Sequence, residues 1–164
     1  MRARQKVQWP PVPASAANLS GWERLGVLKI GRITLQGKPM SDEERVLAAL
    51  DRLAAGFNAH DIDAIMDQFA VDCRLDLPRG PDPNGTRFIG RDAVRRGIMT
   101  RFETTPDVHY AEVENFSSGN TGMSKWLLTG TTLTGDKICV RGCDFYTFKD
   151  GLVTCKDSYW KIVV

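Results

Sequence analysis

Two short breaks near the C-terminus constrain the fold of this chain more than any other feature. Residues 134–137 and 149–151 combine glycine with polar residues, and they separate three runs rich in Ile, Val, Phe, Tyr and Thr. Such residues suit a pleated, half-buried surface, and short loops with glycine commonly close β-hairpins. The C-terminal third is therefore predicted to form an antiparallel meander of strands.

Helical patterns come before these strands. Apolar residues recur at helical spacing through residues 46–57, after a capping-box sequence that starts at Ser41. Residues 62–69 and 91–102 carry two further helical patterns, and the arginines of the last one point mostly to water. The order predicts an α+β fold, in which three helices of the N-terminal half pack on the concave face of a curved antiparallel sheet.

The composition excludes several classes of protein. The chain has 164 residues, of which 42% are hydrophobic and 26% charged, as in an ordinary globular domain. A net charge of +2 is too small to predict a nucleic-acid partner, and no apolar stretch approaches the ~20 residues of a membrane helix. The four cysteines form no CxxC pair, so no metal site is expected. Without a signal-peptide pattern, reduced thiols favour a cytoplasmic protein.

Residues 1–40 differ in character from the rest of the chain. They contain a proline-rich stretch, an Ala/Ser run and several basic residues, without a helical or strand period. We predict a poorly ordered N-terminal extension over residues 1–40 and a single domain over residues 41–164. A partner-binding tail and a translation start at Met40 are both compatible with this segment.

The most unusual residue of the β region is Asp144, an acid within an aromatic, β-branched strand. A three-residue loop at the second break would pair Asp144 with Lys156, whereas a two-residue loop would pair it with Asp157. Because side chains alternate across a strand, the three-residue loop also places Ser158 and Trp160 on the face of Asp144. If that face is buried, a carboxylate and an ammonium group meet in an apolar pocket.

The first break extends this face to a third strand. A two-residue Gly-Asp loop there predicts that Leu127 and Thr129 face the same pocket, where Leu77 and Tyr110 are also candidates for the wall that binds a substrate. The outer face of the sheet would then be apolar, through Trp126, Leu128, Phe145 and Tyr159. Because a solvated sheet face usually alternates with polar residues, this face predicts a partner surface, most simply that of a homodimer.

Three strings of the sequence resemble the nuclear transport factor 2-like superfamily, and within it the SnoaL-like and ketosteroid isomerase-like proteins. They are residues 57–70, which begin Phe-Asn-Ala-His-Asp-Ile-Asp, Phe-Ile-Gly-Arg-Asp-Ala-Val at 88–94, and Asp-Phe-Tyr-Thr-Phe-Lys-Asp-Gly at 144–151 together with Lys-Asp-Ser-Tyr-Trp at 156–160. The resemblance implies a cone-like, cystatin-like roll with a ligand cavity between helices and sheet. It also implies dimerisation through the outer sheet face.

The residues carried over from this resemblance are incomplete. Asp144 falls where ketosteroid isomerase-like proteins have the acid that donates a hydrogen bond to the developing oxyanion. The positions of that family's catalytic base and of its tyrosine are occupied by Leu77 and, approximately, Leu53. Ser158 stands where limonene-epoxide-hydrolase-like relatives have an acid. The resemblance therefore implies the pocket and argues against steroid isomerase chemistry.

Three interpretations of Asp144 and Lys156 stay open. Asp144 could act as general acid or base on a carbonyl compound whose oxygen Lys156 polarises; Lys156 could form a Schiff base, although a carboxylate partner opposes this; or the two form an ion pair without turnover. The first predicts a cofactor-independent isomerase, cyclase, dehydratase or hydrolase for a small, apolar, oxygenated substrate. The last predicts a ligand-binding or dimeric protein-interaction module.

Overall fold

The structure is a computed structural model that describes residues 39–163. The extension predicted for residues 1–40 lies outside the described residues, apart from its last two. Within the described part, three helices and six strands follow one another: α1 (Asp42–Ala59), α2 (Ile62–Met66), β1 (Phe69–Asp76), β2 (Arg87–Ile89), α3 (Arg91–Thr104), β3 (His109–Ser118), β4 (Thr121–Thr131), β5 (Lys137–Lys149) and β6 (Leu152–Trp160). The predicted α+β order is confirmed.

Helix α1 begins at the predicted capping box. The Glu44 N–H donates to the Ser41 hydroxyl, and the Ser41 N–H donates to the Glu44 carboxylate, so two free donors of the first turn are satisfied. The helix ends at His60, whose φ of 54° lies in the left-handed region. Asp61 then caps α2 through the N–H groups of Asp63 and Ala64. These caps fix where the two helices begin.

The six strands form one sheet in the order β2-β1-β6-β5-β4-β3. Every neighbouring pair is antiparallel except β1 and β6, which are parallel. The short edge strand β2 was not predicted from the sequence. Helices α1 and α3 pack on the inner face and bury a core with it, built around Leu50, Leu53, Phe57, Ile65, Phe69, Leu75, Val94, Ile98, Tyr146 and Phe148.

The register between β5 and β6 differs from the prediction, although the predicted face is right. The hairpin closes through the two residues Asp150 and Gly151, both with positive φ. A β-bulge then interrupts the pairing with β6 between Thr147 and Phe148. Asp144 therefore pairs with Ser158, not with Lys156, which pairs with Tyr146. Because the bulge and the shorter loop together shift the register by two residues, Asp144, Lys156 and Ser158 still share the inner face.

The register between β4 and β5 contradicts the prediction. Thr131 pairs with Lys137, so the connection has five residues, 132–136, instead of two. Within it, the Asp136 N–H donates to the Thr132 hydroxyl and the Thr134 hydroxyl donates to the Asp136 carboxylate. This loop changes the parity of β4, which exchanges its inner and outer faces relative to the prediction.

Each residue of β4 therefore lies on the face of the sheet opposite to the one predicted. Trp126 and Leu128, predicted on the outer face, are buried on the inner face at 3% and 0% exposure. Leu127 and Thr129, predicted in the pocket, lie on the outer face. The sequence held a signal for this arrangement in Lys125, which the predicted register would have pointed inward. In the structure Lys125 is exposed and its Nζ lies 2.8 Å from Glu114 Oε1.

Candidate functional site

Asp144 lies at the centre of a buried polar cluster on the inner face of the sheet. Its Oδ1 accepts a hydrogen bond from Ser158 Oγ at 2.6 Å and forms an ion pair with Lys156 Nζ, also at 2.6 Å. Its Oδ2 accepts from Trp126 Nε1 at 3.0 Å and, more weakly, from the Tyr146 hydroxyl at 3.4 Å. Asp144 is only 3% exposed. Three of these groups donate hydrogen bonds and the fourth is a cation, so the geometry is that of an acceptor carboxylate rather than of a neutral acid that donates.

Lys156 and Ser158 complete this cluster. Lys156 Nζ donates to Ser158 Oγ at 2.8 Å and pairs with Asp144 Oδ1 at 2.6 Å, so each of the three polar side chains contacts the other two. The ammonium group also lies 5.8 Å from the ring centre of Phe57 and 5.6 Å from that of Tyr146, within the range of cation–π attraction. Since an ammonium group has three N–H donors, Lys156 keeps one that neither Asp144 nor Ser158 uses.

A buried tyrosine, Tyr146, and a partly buried one, Tyr110, stand beside the carboxylate. Burial raises the pKa of Tyr146 well above its usual value, and the charge of Asp144 raises it further. Burial raises the pKa of Tyr110 as well, again with a contribution from Asp144. Both hydroxyls therefore stay protonated at neutral pH. The Tyr110 ring packs edge-on against Trp126 at 5.4 Å, which orients the indole that donates to Asp144.

A small inner cavity opens onto this cluster. Its volume is about 30 Å³, and its wall includes Asp144, Lys156, Ser158, Tyr110 and Trp126. A space of this size holds one or two water molecules. Four residues of its wall, Leu77, Pro78, Arg101 and Trp160, also line an outer groove of about 400 Å³.

The structure brings most of the predicted site residues together. The inner cavity is lined by Asp144, Lys156, Leu77, Tyr110, Ser158 and Trp160, all of which were candidates. Leu127 and Thr129 were also candidates, but they lie on the other face of the sheet, because the β4–β5 loop is longer than predicted. The predicted pocket thus loses two residues of its β4 wall.

Sequence reasoning missed two hydrogen-bond donors to Asp144. Trp126 had been placed on the outer face by the wrong β4 register, and Tyr146 had not been considered. The signal for Tyr146 was its spacing, because residues two apart on a strand share a face. For Trp126 the signal was the inward Lys125 that its outward placement required.

Within residues 39–163, no three His, Cys, Asp or Glu side chains are grouped to hold a metal ion.

The outer sheet face keeps part of the predicted apolar surface. Phe145 and Tyr159 are 45% and 53% exposed, and their rings pack edge to face at 5.8 Å. Cys143 and Met123 are partly buried beside them. Trp126 and Leu128 do not contribute to this surface, because the longer β4–β5 loop places them on the inner face.

No helix of the described residues is long and apolar enough to span a membrane.

Comparison with known proteins identifies the domain. The family model of the SnoaL-like domain matches residues 50–155, more than half of the chain. No protein with a curated description matches it.

Solved structures share the fold at low sequence identity. A candidate polyketide cyclase from Xanthomonas campestris pv. campestris is 21% identical, with a TM-score of 0.66 over 74% of this chain and 93% of that one. A nuclear transport factor 2-like protein of unknown function from Mesorhizobium loti is 24% identical, with a TM-score of 0.62 over 76% and 98%. TerC, co-crystallised with polyporic acid, is 17% identical, with a TM-score of 0.61 over 71% and 92%. These likenesses confirm the predicted nuclear transport factor 2-like fold.

Proposed function

Since the chain belongs to the SnoaL-like domain family of the nuclear transport factor 2-like superfamily, we propose that it binds a small oxygen-bearing organic molecule and acts on it by acid/base chemistry without a cofactor. Family and fold support a small-molecule-binding protein. One observation carries the chemical part of the proposal. A carboxylate and an ammonium group, each less than 10% exposed, meet at 2.6 Å in the wall of a cavity.

In the proposed reaction, Asp144 removes a proton from a carbon next to a carbonyl group. The C–H electron pair forms a C=C bond with the carbonyl carbon, the π pair of the carbonyl group moves to its oxygen, and the proton moves to Oδ2, whose contact with Tyr146 is the longest of the four. The remaining N–H of Lys156 and the hydroxyl of Tyr110 donate to the oxygen, where negative charge develops. Return of the proton to another carbon would isomerise the substrate.

The relatives support this class of substrate. One structural neighbour is a candidate polyketide cyclase, and another was crystallised with polyporic acid. Both descriptions concern small organic molecules that carry oxygen. The superfold hosts many reactions, so the site, rather than the fold, has to carry the assignment.

A binding protein without turnover is the second candidate. The observation that favours it is the complete set of donors around Asp144, which would hold Lys156 and Ser158 in one orientation toward a ligand. In that case Asp144 never exchanges a proton with the ligand. The Schiff-base alternative gains nothing from this geometry, because the carboxylate at 2.6 Å opposes a neutral amine.

Proton exchange into a model ketone separates the two candidates. Wild-type protein in D₂O is incubated with tetralone, and loss of the protons next to its carbonyl is followed by NMR. Acid/base chemistry predicts exchange faster than in buffer, and a loss of about a hundredfold or more in Asp144→Asn. Binding is followed in parallel through the indole N–H resonance of Trp126, which reports on its bond to Asp144.

Asp76→Asn is the matched control, because Asp76 is equally buried and lies on the other face of the sheet. It should leave exchange and binding unchanged. Binding of tetralone without exchange would favour the binding protein. If tetralone neither binds nor exchanges, the pocket proposal fails for carbonyl compounds and a protein-interaction module gains support.

We also propose a cytoplasmic homodimer that associates through the outer face. The exposed rings of Phe145 and Tyr159 support this, since such apolar surface is usually covered by a partner. Sedimentation equilibrium of the wild type and of Phe145→Lys tests it. A wild type that stays monomeric at all concentrations would contradict the dimer.

A further inference from the structure

The outer groove is the larger part of the space that leads to Asp144. It has a volume of about 400 Å³, against about 30 Å³ for the inner cavity. A small-molecule site typically encloses at least ~300 Å³. The inner cavity therefore has room for one functional group of a ligand, and the body of the ligand has to lie in the groove.

The groove and the inner cavity share one boundary. Leu77, Pro78, Arg101 and Trp160 line both. A ligand in the groove thus contacts Trp160 and Arg101 while one of its groups reaches the cavity beside Lys156. Apart from Arg79, the rest of the groove wall is apolar or carries hydroxyls, including Leu133 and Ile138.

Two arginines define the electrostatics of the groove. The guanidinium carbon of Arg101 lies 4.6 Å from the ring centre of Trp160, and that of Arg79 lies 5.7 Å from it. Both therefore rest against one indole. They are the charged residues that line the groove, and neither has an ion-pair partner among residues 39–163. Two positive charges in one apolar groove attract an anion.

The backbone holds Arg79 in place. Its carbonyl accepts from both the N–H and the hydroxyl of Thr86, at 2.9 and 3.0 Å. Gly85, with φ of 71°, lets the same loop close against the Leu77 carbonyl, where a Cβ would have no room. Arg101 is held by its position in the last turn of α3. The two side chains thus start from rigid elements, which lowers the cost of ordering them around a ligand.

A third observation points to an unfilled polar contact. Thr105 lines the groove and is 1% exposed, yet its hydroxyl has no hydrogen-bond partner within the described residues. Buried hydroxyls are rarely left without a partner.

We propose that the outer groove binds the carboxylate of an organic acid between Arg79 and Arg101, with the apolar part of the acid against Trp160. The inference rests on the proposed function, because it assigns the substrate class of the same site. The substrate is then an apolar organic acid with a second oxygen-bearing group that reaches Lys156 and Asp144. Guanidinium groups suit this anion, since their N–H donors match the geometry of a carboxylate.

Naphthoate and its neutral amide, naphthamide, are probes of nearly the same shape, of which only naphthoate carries the charge. Each is titrated into the protein while the Trp160 indole N–H resonance, assigned with Trp160→Phe, is followed by NMR. Naphthoate should bind about tenfold more tightly than naphthamide. Arg101→Gln and Arg79→Gln should each reduce naphthoate affinity about three- to tenfold and leave naphthamide affinity unchanged.

Arg96→Gln is the control, because Arg96 lies exposed on α3, like Arg101 a residue of that helix, and its substitution removes the same charge. It should retain the preference for naphthoate. Equal affinities for the two probes, no binding of naphthoate in the millimolar range, or an equal loss in Arg96→Gln would overturn the inference. The amide spectrum of each variant shows in the same sample whether it is folded.

Asp144→Asn separates this inference from the proposed function. The variant should keep the preference for naphthoate, since Asp144 does not line the groove. If the preference persists while Asp144→Asn has no effect on ketone exchange or binding, the carboxylate site stands and the proposed chemistry fails. If exchange depends on Asp144 but the preference is absent, the opposite conclusion follows.

Discussion

The sheet contains two buried carboxylates, one on each face, and their surroundings differ. Asp144 on the inner face is 3% exposed, and Asp76 on the outer face is 1% exposed. Arg87 contacts both oxygens of Asp76, at 2.7 and 2.9 Å. Arg74 Nε lies 3.1 Å from Oδ2, within ion-pair distance but outside hydrogen-bond geometry. Both acids are thus buried and paired with cations.

The partners distinguish the two clusters. Around Asp76 they are arginines, whose side chains are 34% and 42% exposed and carry a permanent charge. Around Asp144 the cation is a lysine, 8% exposed, which shares a hydroxyl with the acid. Asp144 also lines the inner cavity, whereas Asp76 lines neither that cavity nor the outer groove. A buried ion pair alone is therefore a poor marker of a site, and its access to a cavity decides the interpretation.

The largest expected difference between the clusters is in stability. Asp144→Ala leaves a buried ammonium group without an anion, which should lower the free energy of unfolding by about 3–5 kcal/mol. Asp76→Ala leaves guanidinium groups that can turn to water, so a loss of about 1–3 kcal/mol is expected. Urea unfolding of the two variants measures both values. A larger loss in Asp76→Ala would reverse the comparison.

The double variant Asp144→Leu/Lys156→Met is the control for this explanation. It removes both charges and keeps similar volumes, so it should recover at least about 1–2 kcal/mol of the stability lost in Asp144→Ala, although Ser158, Trp126 and Tyr146 lose their shared acceptor. If it is as unstable as Asp144→Ala, lost packing rather than the unpaired charge explains the effect.

A smaller difference is expected at alkaline pH. The pKa of Tyr146 is raised, first by burial and then by Asp144, so the folded state keeps a proton that the unfolded state releases above about pH 10. Stability should therefore fall as pH rises past that value. Tyr146→Phe lacks this titration. The difference in free energy of unfolding between the wild type and this variant should therefore shrink by up to roughly 1.4 kcal/mol per pH unit above about pH 10. Urea unfolding at about pH 9 and about pH 11 measures the change.

Tyr159→Phe provides the outer-face counterpart. The pKa of Tyr159 is raised mainly by its hydrogen bond to Asp157, and the hydroxyl is exposed. Its removal should change the alkaline dependence less than Tyr146→Phe does. Equal changes in the two variants would mean that burial beside Asp144 adds nothing to the pH dependence of stability.

Much of the fold was predictable because its signals are local. The capping box at Ser41, the helical periods and the β-rich runs all depend on neighbouring residues, and they are where the sequence predicts them. The inner face of β5 and β6 was also predicted correctly. There, a shorter loop and an unpredicted bulge together shifted the pairing by two residues, so that Asp144 and Lys156 kept their face.

The rest depended on contacts that sequence spacing does not encode. The β4 face was wrong because the loop has five residues, held by the side chains of Thr132, Thr134 and Asp136, where the glycine suggested two. Arg101 was interpreted as one of several solvent-facing arginines of its helix. Its contact with Trp160 joins residues far apart in the chain, and α3 reaches β6 only in the folded domain.

The smallest expected difference concerns two thiols that report on the two clusters. Burial raises the pKa of Cys143, and Asp144 raises it further against the effect of Lys156. Burial also raises the pKa of Cys155, which Arg74 lowers and Asp76 raises. Removing a nearby negative charge should lower a thiol pKa and increase the thiolate at neutral pH. Alkylation of Cys143 by iodoacetamide should therefore accelerate in Asp144→Asn, by less than about tenfold.

The reciprocal variant makes this prediction specific. Asp76→Asn should accelerate alkylation of Cys155 and leave Cys143 unchanged, with the exposed thiol of Cys139 as the internal reference in the same mass-spectrometric digest. Crossed effects, in which Asp144→Asn acts on Cys155 as strongly as on Cys143, would indicate local loosening of the sheet rather than loss of a charge. Separate effects would mean that each carboxylate influences only the thiol nearest to it, which for Asp144 is a thiol on the opposite face of the sheet.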